Sequence, residues 1–100
     1  DFTHVVRRGR RAGGPLLVTH LLDAGDDAKT LVGFVVAKNV GNAVTRNVVK
    51  RRLRHLMRER LGMLPSGSTL VVRAQPKAAQ CSFSELTEAL DRSLRRVMAQ

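Results

Sequence analysis

The chain has no tryptophan and no tyrosine, and its aromatic content is three phenylalanines in 100 residues. A site built on several stacked rings is therefore excluded, and any aromatic contact must come from Phe2, Phe34 or Phe83. A single cysteine, Cys81, forbids an internal disulfide, and with three scattered histidines it matches no metal-ligand spacing. We expect no protein-held metal and a reducing, cytoplasmic setting. No apolar run approaches the ~20 residues that a membrane span requires, and nothing resembles a signal peptide, so no membrane partner is expected. Acids are scarce as well: 8 Asp and Glu stand against 18 Lys and Arg, a formal net charge of +10 with a pI near 11.6. Such an imbalance implies a polyanionic partner more directly than it implies solubility.

What is present is enough for one domain spanning residues 1–100, with 43% apolar residues to build one modest core. The chain begins at Asp1 rather than methionine, so a short preceding segment is expected. Residues 1–8 read as a short helix, with Asp1 as cap, Phe2, Val5 and Val6 as its apolar stripe and Gly9 as its stop. Residues 16–22 (LLVTHLL) and 31–37 (LVGFVVA) read as strands, and the turn-rich connector DAGDDAKT makes them partners of one hairpin. A further strand fits residues 10–14. A helix is expected over 42–61, ended by Gly62, Pro65, Ser66 and Gly67, and a strand over 69–74. Ser82 then opens the last helix, with Glu85 completing a capping box and Leu86, Leu90, Leu94 and Val97 as the buried stripe. A strand, helix, strand passage from Leu31 to Ala74 predicts that those two strands run parallel, with helices over one sheet face and the other open. The class is α/β (α+β), a mixed sheet of about four strands in a two-layer sandwich.

Charge is concentrated in the second helix. Between Lys38 and Arg60 stand eight basic residues (Lys38, Arg46, Lys50, Arg51, Arg52, Arg54, Arg58 and Arg60) against one acid, Glu59. On a helical wheel, Val49, Leu53, Leu56 and Met57 form one arc and Asn47, Lys50, Arg51, Arg54 and Arg58 the adjoining one, with Arg46 at the border. A merely solvated face would interleave signs at i, i+4, whereas Arg46, Lys50, Arg54 and Arg58 repel one another along one row. Arginine dominates, and its planar fork suits phosphates and base edges. We read the segment as a nucleic-acid-binding helix.

The run GNAVTRNVVKRRLR resembles the signature of the protein subunit of bacterial ribonuclease P. That signature is Arg-Asn-x-x-Lys-Arg-x-x-Arg after Gly-Asn-Ala-Val, and here it is Arg46, Asn47, Lys50, Arg51 and Arg54 after Gly41 to Val44. Phe2, Val5, Val6 and Gly9, Lys38 before the signature, and Arg73, Pro76, Ala78 and Ala79 before the last helix extend the resemblance over nearly the whole chain. It implies a left-handed βαβ crossover formed by the signature helix, an exception to the usual hand. It also implies an accessory role: a catalytic RNA removes the 5′ leader of precursor tRNA, and the protein assists. Asn42, Arg46, Asn47, Lys50, Arg51, Arg54 and Arg58 would meet the catalytic RNA. Phe2, Val6, Arg10 and Lys38 would line a cleft between the first helix and the sheet that holds the single-stranded leader. Magnesium would be held mainly by RNA, no protein partner is implied, and no protein residue would be catalytic. Two departures stand out. Val48 follows Arg-Asn where the family often has another arginine, and Val6 and Thr19 stand where leader-stacking rings are expected.

Other residues have plainer readings. Phe2 is either core or a leader contact, whereas Phe34 and Phe83 read as core. Arg7, Arg8, Arg10 and Arg11 form a second basic patch, either for leader backbone or for solvent. His4, His20 and His55 are too scattered for a catalytic set. Asp23, Asp26 and Asp27 are explained by turn chemistry, although a hydrolase acting without RNA would have to use them. A generic or ribosomal-type RNA-binding module without a catalytic assembly is the alternative function.

Overall fold

The computed structural model describes residues 2–23, 25 and 28–100. Asp1, the expected first cap, and Asp26 and Asp27 of the acidic turn lie outside them. The elements are α1 (Thr3–Arg8), β1 (Arg10–Gly13), β2 (Leu17–Asp23), β3 (Leu31–Val35), α2 (Ala43–Arg58), β4 (Ser68–Ala74) and α3 (Phe83–Ala99), with short 3₁₀ turns at Lys38–Val40, Leu61–Met63 and Pro76–Ala79. The sheet order is β1-β2-β4-β3. β1 and β4 pair antiparallel with β2, and β3 runs parallel to β4, as the passage through α2 requires.

The expected hairpin between β2 and β3 does not form, because β4 lies between them. Burial explains the placement. Leu70, Val71 and Val72 of β4 are wholly inaccessible, so consecutive side chains are covered on both faces and the strand needs the sheet's interior. Leu31 of β3 is half exposed and suits an edge. The hairpin partner of β2 is β1 instead, joined through Gly14, Pro15 and Leu16.

α2 and α3 cover one face. Their Val49, Leu53, Leu56 and Met57, and Leu86, Leu90, Leu94 and Val97, close a core with Leu17, Leu21, Leu70, Val72 and Ala74. α3 starts as expected: Ser82 Oγ accepts from the Glu85 amide at 3.0 Å and Glu85 Oε1 from the Ser82 amide at 2.8 Å. It also closes the free edge of β1. Arg96 donates to the Gly13 carbonyl and Gln100 to the Arg11 carbonyl, while buried Ser93 bridges Ala12 and Thr19. The second face is not left open, because α1 packs there against β2 and β4. Gly9 allows that approach, since a Cβ would meet the Leu21 carbonyl.

Candidate nucleic-acid interface

α2 begins where Asn42, in extended conformation, accepts the Thr45 amide on Oδ1 at 2.9 Å. That cap engages Asn42 Oδ1 and leaves its NH2 donors unengaged among the described residues. The helix ends at Arg58 rather than Leu61. Arg60 folds back over the last turn, its amide on the Met57 carbonyl and its Nη1 on the Leu56 carbonyl at 2.8 Å.

The anchoring arc is as expected: Val49, Leu53, Leu56 and Met57 are the buried residues of α2. Beside it, Asn47, Arg51, Arg54 and Arg58 are exposed and Lys50 is half-buried, and none of these cations has an ion pair among the described residues. Repulsion along that row costs a few tenths of a kcal/mol per pair, a cost that a polyanion relieves. Arg46 stands half-buried at the border with a buried Nε that has no partner among the described residues. Val48 is half-buried and adds nothing to the cationic arc.

Two of the eight basic residues are engaged within the fold. Arg52 donates to the Cys81 carbonyl at 3.3 Å. Arg60 forms a bidentate pair with Asp91, 2.6 Å from Nε to Oδ1 and 3.2 Å from Nη2 to Oδ2. The Arg60 hydrogen bonds hold the Asp91 carboxyl below its ordinary range, and Asp91 in turn raises Arg60.

The α1 side of the sheet forms a second site. Strand register aligns Arg11, His20, Val71 and Gly33 in one row, and Gly13, Val18, Arg73 and Val35 in the next. The Phe2 ring lies directly over Gly33, where a Cβ would overlap it. His20 is 1% exposed, yet among the described residues neither ring nitrogen has a hydrogen-bond partner, and nor does the buried Nε of Arg73. Burial, and then the charges of Arg73 and Arg11, push the His20 pKa below its ordinary 6.5. Each unpartnered buried donor costs about 1–3 kcal/mol, and on the same row Arg11 is exposed.

The sequence-predicted cleft residues separate. Phe2 lies on this face, Val6 is 38% exposed on α1 one turn later, and Lys38 is exposed in the 3₁₀ turn after β3. Arg10 is not brought to them. Paired with Leu21, it points to the α3 side, where it meets Asp23 at 3.5 Å and the Gln100 carbonyl at 2.7 Å. Arg11, its neighbour, faces the cleft instead. Thr19 also points the other way, its hydroxyl 2.7 Å from that of Ser93, so the side chain of β2 facing the cleft is that of His20. Strict alternation along β2 was the signal that could have found His20. Phe83 is a correction of a different kind. It is 42% exposed rather than core, because as the first residue of α3 it precedes Leu86, where the buried stripe begins, and its ring meets that of His55 at 6.1 Å.

The family model for ribonuclease P matches residues 1–98. The chain is 52% identical to the ribonuclease P protein component of Streptomyces avermitilis, over 98% of this chain and 86% of that one. It is 54% identical to that of a Nocardioides species, over 99% and 86%. Among solved structures, the RNase P protein of Thermotoga maritima superposes with a TM-score of 0.81 at 26% identity, covering 97% of this chain and 91% of that one. That of Staphylococcus aureus, 22% identical, shares the fold with a TM-score of 0.85, covering 95% and 86%. With its signature helix, its mixed four-stranded sheet and these matches along nearly its whole length, the chain belongs to the ribonuclease P protein family, as an accessory protein component of that RNA-processing endoribonuclease.

Proposed function

We propose that α2 docks on the catalytic RNA of ribonuclease P while the face beneath α1 holds the single-stranded 5′ leader of precursor tRNA. The observation that carries this reading is the row of cations on α2, anchored by a buried arc and without ion pairs among the described residues. Asn47, Lys50, Arg51, Arg54 and Arg58 take RNA phosphates and base edges, with Arg46 and the free NH2 of Asn42 at the helix start. Phe2 offers the stacking surface for the leader. Val6 flanks it, Arg11 and Arg73 supply charge beside it, and Lys38 supplies charge beyond the end of β3.

In this reading the protein binds and the RNA cuts. A cationic arc attracts phosphate rather than a divalent cation. Magnesium is accordingly assigned to the RNA, and no step is routed through the protein for it. A site that holds the leader favours precursor over product, because mature tRNA lacks that segment.

The test is binding of precursor and mature tRNA to the assembly of this chain with its catalytic RNA. A leader-dependent preference that appears only when the protein is present supports the reading. Equal affinity for both tRNAs, with and without protein, leaves a generic RNA-binding module in its place.

A further inference from the structure

Where the C-terminal half of α2 passes the edge strand β3, Phe34, Met57 and Leu61 line a notch of about 200 Å³ together with Arg54 and Arg58. Met57 is buried, Phe34 half-buried and Leu61 47% exposed. Neither arginine has an ion pair among the described residues. Apolar walls give water few partners, and two unpaired guanidinium groups beside them call for anions.

Those two demands select one class of occupant. An aliphatic side chain would satisfy the walls and leave the arginines unpaired. A free anion would pair the arginines and leave the walls wet. A nucleotide meets both, with its base against Phe34, Met57 and Leu61 and its phosphates on the guanidinium forks. At ~30 Å³ per water the notch equals about seven water volumes, room for one planar base and not for a stacked pair. We infer that the notch receives a single unstacked nucleobase of the RNA bound along α2, with Arg54 and Arg58 on the flanking phosphates.

This rests on the reading of α2 as the RNA-docking helix and adds a contact that charge alone does not supply. Phosphate contacts weaken steeply with salt, whereas a base against an apolar wall contributes a nearly salt-independent factor. The two are therefore separable by experiment.

Leu61→Ser removes a wall while leaving every cation in place, at a residue exposed enough for the fold to tolerate the change. Binding to the catalytic RNA should weaken about tenfold at each salt concentration between 50 and 200 mM, with the slope of log Kd against log salt unchanged. A wild-type Kd for the variant, or a lowered slope, overturns the inference. A second measurement needs no catalytic RNA: adenosine 5′-monophosphate should shift the NMR signals of Phe34, Met57 and Leu61 in the wild-type chain, and ribose 5-phosphate should not. Equal shifts with both probes mean phosphate binding only and overturn it. If the wild-type chain shows no salt-dependent binding to the catalytic RNA, the docking reading fails as well. Normal wild-type binding with an indifferent Leu61→Ser variant removes the notch alone.

Discussion

Arg58 and Arg60 lie two residues apart and carry the same charge, yet removing them should have opposite consequences. Arg58 is exposed and has no ion pair among the described residues, whereas Arg60 is tied to Asp91 through two bonds and to the Leu56 carbonyl through a third. If Lys50, Arg51, Arg54 and Arg58 each neutralise one phosphate, log K should fall with log salt at a slope of about −3.6, using the coefficient for a duplex. Affinity for the catalytic RNA then drops about 150-fold between 50 and 200 mM salt. Arg58→Ala should reduce the slope by about 0.9, and Arg51→Ala with Arg54→Ala should halve it, leaving a drop of roughly 12-fold. Arg60→Ala should leave the slope alone. It leaves Asp91 on α3 without its partner and opens the end of α2, at a cost of about 1–3 kcal/mol, which lowers Tm by roughly 4–8 °C per kcal/mol in a domain of this size. Fluorescence anisotropy across a salt series, with thermal unfolding beside it, reads both quantities. The reasoning is refuted if Arg60→Ala flattens the salt dependence as much as Arg58→Ala while Tm stays put.

Two further expectations concern the face beneath α1. Gly33→Ala places a methyl group where the Phe2 ring now lies, and because the atoms it meets are the outer edge of that ring, the ring can turn aside. The preference of the assembled enzyme for precursor over mature tRNA should shrink with little change in Tm, and an unaltered preference would remove Phe2 from the leader site. His20 has a folded pKa below its ordinary 6.5, so between the two values the unfolded chain binds a proton that the native state refuses. Its contribution is therefore favourable above about pH 6.5 and is lost as the pH falls below that value. Glu85 and Asp91, also lowered, lose theirs only further down, in the carboxylate range. Denaturant unfolding of His20→Leu should show a flatter profile than wild type between pH 7 and about 5. Parallel profiles would contradict the assignment.

Much of this was legible in the chain because local rules and tertiary packing agree. The helical period named Val49, Leu53, Leu56 and Met57, and the Ser82 to Glu85 spacing named the start of α3, since each depends on residues within a few turns. The parallel pairing of β3 with β4 followed from the helix between them. What failed was non-local. The partner of β2 was decided by which strand needed cover on both faces, a property of the assembled sheet that the connector DAGDDAKT does not encode. Facing was lost for Arg10 and Thr19, where a shift of one residue moves a side chain to the opposite side of the sheet. Arg52 and Arg60 stood outside the binding arc on the wheel, but what they hold instead was not legible, because their acceptors, the Cys81 carbonyl and Asp91, lie about 30 residues away.

The central claim is that this chain acts by binding, as the helper of an RNA that cuts. It is tested most directly by following 5′ leader removal from precursor tRNA by the catalytic RNA at limiting magnesium, with and without the protein. The account predicts that the wild-type chain accelerates removal, that the chain alone cuts nothing, and that Arg51→Ala with Arg54→Ala restores the rate only at higher protein concentration. Cleavage by the protein without RNA, or a rate unmoved by wild-type protein, would contradict it.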